Sequence, residues 1–107
     1  MNISVEELKA KMDAGEEFLL LDVRTEYERD IVKLEGGLHM DIHDFDPADP
    51  ALATWKNRQI VCMCHHGGRS AHAQGVLLQH GYTNVLNLAG GIHAWALKID
   101  PSLPTYE

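Results

Sequence analysis

The sequence predicts an α/β fold built on a mainly parallel sheet, and three observations predict it. Phe18-Leu19-Leu20-Leu21, Ile60-Val61-Cys62-Met63 and Val85-Leu86-Asn87-Leu88 are short, nearly unbroken apolar runs, the pattern of strands covered on both faces. Stretches with helical spacing separate and follow these runs, giving consecutive strands the crossovers that parallel pairing requires. The middle run leads straight into Cys64-His65-His66-Gly67-Gly68-Arg69-Ser70, a glycine-containing turn that opens a helix-like stretch. Ligands of open parallel sheets sit beyond such strand ends.

Taken in order, Ser4 and Glu7 form a capping-box pattern, followed by Val5, Leu8 and Met12 at helical spacing, with a stop near Ala14-Gly15. The run at residues 18–21 delivers Asp22 and Arg24 to the sheet edge. There they hold neighbouring loops by hydrogen bonds and by an ion pair of Arg24 with Asp22 or Glu28. Residues 25–31 read as a short helix, and Leu34-Glu35-Gly36-Gly37 turns the chain toward a brief strand at residues 38–40. Residues 43–50 are acidic and carry two prolines, a connector into a short helix near residues 51–56, with Trp55 as an anchor on the core. The next helix spans residues 70–79, with Ala71, Ala73, Val76, Leu77 and Leu78 as its packing side and Gly81 as its stop. Ala73 and Gly75 are expected to let it approach the sheet closely. After the run at 85–88, Ala89-Gly90-Gly91 leads into a helix over residues 92–97. Its Ile92 and Trp95 close the core, and His93 is expected to be exposed and outside the chemistry.

A chain of 107 residues is one domain by length, residues 1–107, with no internal repeat or linker. No apolar stretch approaches the roughly 20 residues needed to cross a bilayer. The first residues lack a basic region followed by an apolar one, so the expectation is a cytoplasmic protein without a membrane partner. A formal charge of −7 with no basic tract argues against nucleic acid as a direct partner. Cys62 and Cys64 are the only cysteines, and a Cys-x-Cys pair is a poor disulfide without the partners of a zinc site. Both read as reduced thiols, Cys64 reactive and Cys62 packed, with a resolving role for Cys62 as the alternative.

The chemistry concentrates at Cys64. Peptide N–H groups of the turn and the start of the following helix favour thiolate over thiol and form an anion cradle. Gly67 and Gly68 let the backbone turn tightly and bring amides inward. Arg69 either draws in an anionic substrate or pairs with a carboxylate, and Ser70 either caps the helix or hydrogen-bonds the sulfur. His65 and His66 flank the mouth. Adjacent histidines in a tight turn do not easily both face one ion, and no third or fourth ligand is evident, so no metal and no cofactor is expected.

These blocks together resemble the single-domain rhodaneses, a family of sulfurtransferases. The segment 64–70 is similar to the family's Cys-x-x-Gly-x-Arg-Ser loop, and Leu21-Asp22-Val23-Arg24 with Glu28 to its first-strand signature. Gly81-Tyr82, Val85, Leu88 and Gly90-Gly91-Ile92-His93-Ala94-Trp95 are similar to its later strand and helix, and Pro101, Pro104 and Tyr106 to its tail. The sequence departs from the family pattern at Lys33 and at His39-Met40-Asp41, which bears on the pocket rim.

The resemblance implies a three-layer α/β/α sandwich around a five-stranded, mainly parallel sheet. It implies Cys64 as nucleophile, residues 65–70 as persulfide and oxyanion cradle, and Asp22, Arg24 and Glu28 as supports. It also implies a donor such as thiosulfate or a persulfide, and a thiol, cyanide or protein cysteine as acceptor. A persulfide carrier serving one protein partner is the alternative. Cysteine phosphatase or arsenate reductase chemistry is the weaker one, because such a loop has five residues between cysteine and arginine whereas Arg69 comes one residue early.

Overall fold

A computed structural model describes residues 1–107. Five strands, β1 (Asn2–Ile3), β2 (Leu19–Asp22), β3 (Leu38–His39), β4 (Ile60–Met63) and β5 (Val85–Leu88), form one sheet in the order β1-β5-β4-β2-β3. Every pairing is parallel. The helices are α1 (Val5–Asp13), α2 (Glu26–Ile31), α3 (Pro50–Ala53), α4 (Gly68–Gln79) and α5 (Gly91–Lys98), with one 3-10 turn at Ile42–Asp44. No helix is long and apolar enough to cross a membrane.

The side-chain alternation of a strand divides the core into two layers. Leu19, Leu21, Ile60, Cys62 and Val85 pack with Ala73 and Leu77 of α4 and Leu52 of α3. Leu20, Val61, Met63 and Leu88 pack on the other face with Val5 and Leu8 of α1 and Ile92 and Trp95 of α5. Both faces of β2 and β4 are therefore covered, which is why those segments read as unbroken apolar runs. The predicted three-layer architecture is the observed one.

The local signals acted as expected at α1, where Ser4 and Glu7 exchange both capping-box bonds. A second capping box, Thr25 with Glu28, starts α2. Trp55 is partly buried against the core, and the Arg58 guanidinium lies 3.9 Å above its ring. The edge strands differ: β1 is a two-residue strand that the sequence does not announce, and β3 is one residue shorter than expected. The short helix α3 starts at Pro50 and ends at Ala53 rather than running to residue 56.

The face of α4 also differs from the expected one. Its buried residues are Ser70, Ala73, Gln74 and Leu77, a stripe at helical spacing, while Ala71, Gly75 and Leu78 face outward. Gln74 belongs on that stripe because its amide donates to the carbonyl oxygens of Val85 and Met1, which satisfies it and ties β1 down. Leu77→Ala is expected to lower stability by about 2–5 kcal/mol through a buried cavity. Leu78→Ala on the outer face should change it by no more than about 0.5 kcal/mol. Urea denaturation of the two variants checks the assignment.

Candidate active site

Strand β4 lies between β5 and β2, so its carboxyl end opens at the middle of the sheet edge. Cys64 follows directly and is 1% exposed. Gly67 has φ of 116°, a left-handed conformation open to glycine, and caps the amino end of α4. That reversal directs its own amide back at the sulfur, with Gly67 N–H donating to Cys64 Sγ at 3.0 Å. Gly68 was expected to be needed for the same reason, but a Cβ there would meet open space. The helix begins at Gly68 rather than Ser70, which puts the Arg69 and Ser70 amides in its first turn.

Ser70 does not cap the helix. Its hydroxyl lies 3.3 Å from Cys64 Sγ and 2.5 Å from Asn87 Oδ1, two acceptors that share its single proton, while Asn87 Nδ2 donates to the Gly67 carbonyl. Asn87 interrupts an otherwise apolar strand, and that interruption is the signal that could have marked it. Burial opposes ionisation of Cys64, but the Ser70 hydroxyl and the amides of Ser70, Gly67 and Arg69 outweigh it and bring the thiol below its ordinary pKa. Cys62, fully buried on the strand, is pushed up to about 12, first by burial and then by the neighbouring Cys64 charge. The two thiols of one strand are thus set far apart in reactivity, and Cys62 is held as a neutral core group.

The Arg69 side chain takes the carboxylate-pairing course. Its two terminal nitrogens donate to both Glu28 oxygens at 2.6 and 2.7 Å. Tyr106 donates to Glu28 Oε2 at 2.6 Å and accepts from Arg24 Nη1 at 3.2 Å. Arg24, fully buried, is closed by two bonds to Asp22, at 3.0 and 2.8 Å. The ion-pair partner of Arg24 is therefore Asp22, and Glu28 belongs to Arg69. His39, one of the departures at the rim, contacts the Arg24 carbonyl at 2.6 Å and braces the same network, whereas Lys33 is exposed. Sequence reasoning placed Tyr106 only as part of a tail; the fold makes it the hinge between the two ion pairs.

His93, expected to be exposed, is half-buried at the amino end of α5 and faces the loop. The His65, His66 and His93 rings meet, with centroids 3.9 Å apart for 65–66, 4.8 Å for 66–93 and 5.6 Å for 65–93. The Tyr106 ring stacks on His65 at 3.9 Å and 11°. Burial, then the neighbouring His66 and His93, press the His65 pKa below its ordinary value. The fold thereby supplies the third imidazole that was not evident from the sequence.

A family model described as a rhodanese-like domain matches residues 4–98. The chain is 36% identical over 94 residues to a protein of Allochromatium vinosum named a sulfurtransferase, covering 88% of this chain and 86% of that one. It is also 36% identical over 110 residues to a rhodanese-like/PpiC domain-containing protein of Arabidopsis thaliana. That match covers 98% of this chain but spans only 37% of the plant protein's length. A rhodanese-like domain protein from Staphylococcus aureus superposes with a TM-score of 0.77 at 27% identity, over 100% of both chains.

Arg69 and Tyr106 donate to the Glu28 carboxylate and hold its pKa well below the usual range, against the opposing effect of burial. The stabilisation from this depressed pKa is present above the unfolded carboxylate value of about 4.3 and is lost as pH falls toward the folded one. Glu28→Gln should cost about 1–2 kcal/mol at neutral pH, between an exposed and a buried pair. The gap from wild type should narrow steadily below about pH 4 in thermal melts. At Cys64, the alkylation rate should rise with pH through an inflection below that of an ordinary thiol. Ser70→Ala, removing one bond worth about 1 kcal/mol, should move it upward and slow alkylation about fivefold at neutral pH.

Proposed function

The chain belongs to the family of rhodanese-like domains, and on that premise we propose that it is a sulfurtransferase in which Cys64 carries sulfane sulfur as a persulfide. The observation that carries this reading is the set of donors turned toward a single sulfur, the Gly67 amide at 3.0 Å and the Ser70 hydroxyl at 3.3 Å. A thiolate formed in advance needs no general base. Its own strand neighbour Cys62, held neutral, does not compete for the donor.

In the first step the Cys64 thiolate attacks the outer sulfur of thiosulfate. A bond forms from Sγ to that sulfur, the sulfur–sulfur bond of the donor breaks, and sulfite leaves with the electron pair. A small persulfide reacts in the same way and releases a thiolate. The terminal sulfur of the Cys64 persulfide is anionic at neutral pH, and the amides at residues 67–70 are its cradle. In the second step an acceptor nucleophile, cyanide or a small-molecule or protein thiolate, attacks the terminal sulfur and Sγ departs as thiolate. Both steps are two-electron displacements, so no cofactor is required and none is proposed.

In this reading Arg69 acts through its amide and its position, since its guanidinium is occupied by Glu28. Asp22, Arg24 and Glu28 hold the loop's surroundings, and His65 and His66 form its rim. Two reduced thiols suit a reducing compartment, and we place the activity in the cytoplasm.

Intact mass after brief incubation with thiosulfate tests the proposal. Wild type and Cys62→Ser should gain one sulfur, about 32 Da, lost on adding cyanide, while Cys64→Ser gains nothing. An adduct that persists in Cys64→Ser would overturn the assignment of the nucleophile. No adduct from thiosulfate or a small persulfide would exclude the free-donor enzyme and leave a carrier loaded by a protein partner.

A further inference from the structure

The amino end of α5 is fastened to the cysteine loop by its backbone. Ile92 N–H donates to the Cys64 carbonyl at 2.9 Å and His93 N–H to the His65 carbonyl at 3.1 Å. Gly91 allows this approach, because a Cβ there would lie 2.3 Å from the His65 oxygen and 2.5 Å from that of Cys64. Two hydrogen bonds and a close backbone contact therefore fix where His93 stands relative to His65 and His66. One ring nitrogen from each of the three lies within 4.8 Å of the other two.

Two atoms of this cluster are unexplained by the protein alone. His65 Nε2 and His93 Nδ1 are buried and have no hydrogen-bond partner. His65 is 9% exposed, so its free nitrogen is not simply facing solvent. A buried nitrogen without a partner costs about 1–3 kcal/mol, and two on rings of one cluster call for a shared ligand. Neither atom takes part in the sulfur chemistry proposed for Cys64.

From this juxtaposition we propose that His65, His66 and His93 form a binding site for a borderline divalent transition-metal ion, zinc being the representative. Imidazole nitrogens suit ions of this class, and three of them with an open position match a known coordination type at about 2.0–2.1 Å per bond. Tetrahedral coordination at that bond length sets the nitrogens about 3.3 Å apart, so the rings close by at most about 1.5 Å from their present separation. The exposed His66 has the freedom to make that movement. The stack of Tyr106 on His65 orients one ligand ring from behind, the part that outer partners play around metal sites. Bound there, the ion adds positive charge beside the loop, where the Arg69 guanidinium is already neutralised by Glu28.

Calorimetric titration of the reduced full chain with zinc chloride, paired with thermal melts, tests the site. One zinc per chain should bind to wild type and to Cys64→Ser alike, and should raise the melting temperature of both. His93→Ala and, separately, His66→Ala should weaken binding by more than about a hundredfold, beyond the ten- to hundredfold loss that removing an outer partner typically causes. His66 is exposed, so its variant reports on the site even where His93→Ala is poorly folded. A cobalt(II) absorption band that His66→Ala abolishes and Cys64→Ser preserves would support imidazole coordination. Absence of saturable zinc binding, binding unchanged in His66→Ala, or binding lost in Cys64→Ser would each overturn the proposal.

Discussion

The structure around Cys64 depends on one close contact, the backbone of Gly91 against the carbonyls of Cys64 and His65. Those two carbonyls follow the last strand residues of the sheet's central strand, where no neighbouring strand accepts or donates for them. The first amides of α5 lack intrahelical partners for the same topological reason. Each set satisfies the other through the Ile92 and His93 N–H bonds. With its carbonyls turned toward α5, the loop is left with its amides facing the opposite way, toward the sulfur. The left-handed Gly67 completes that division by sending its N–H to Sγ while its carbonyl accepts from Asn87 Nδ2.

This division decides the electrostatics. A formal positive charge sits two residues beyond Gly67, on Arg69, yet its side chain is spent on Glu28 and from there on Tyr106, Arg24 and Asp22. With Arg29 also reaching Asp22 at 3.4 Å, the network carries three arginines and two carboxylates, so most of its positive charge is offset within it. Its work is to fix β2, α2, the carboxyl-terminal tail and the start of α4 against one another. The sulfur is stabilised instead by fixed dipoles and a hydroxyl, which are already oriented before any ligand arrives. Such donors also act in a site where water is largely excluded, and Cys64 is 1% exposed.

The fold was legible wherever a single stretch of chain carries its own physics. The strands at β2, β4 and β5 showed because both faces are buried, and α1 because Ser4 and Glu7 cap it locally. Cys64 and its loop showed for the same reason, since strand, turn and helix start are contiguous. The edge strand β1 did not, because two residues carry no periodicity and its pairing comes from Asn87 and Leu88 far along the chain. The face of α4 was misjudged through hydrophobicity alone: Gln74 is buried because β1 and β5 offer it carbonyls, and Leu78 is exposed because the helix turns it outward. Asn87, Tyr106 and His93 escaped a role at the site for one shared reason. Each reaches the loop only because the parallel order of β5, β4 and β2 brings the ends of distant segments together.

The same topology explains why the two cysteines differ. Cys62 and Cys64 stand on one face of one extended segment, two residues apart, and both belong to the core layer under α4. Cys62 is inside the sheet, where its backbone groups are committed to neighbouring strands and its sulfur belongs to the apolar core layer. Cys64 is the first position past the sheet, where a helix amino end replaces the ladder as the source of N–H groups. Moving by one pleat along the strand therefore changes the sulfur's surroundings from apolar packing to oriented donors. Burial opposes ionisation of both thiols, so burial alone does not set Cys64 apart from Cys62. What separates them is that the chain turns after Met63, and that the turn is made by a residue able to point its amide backward.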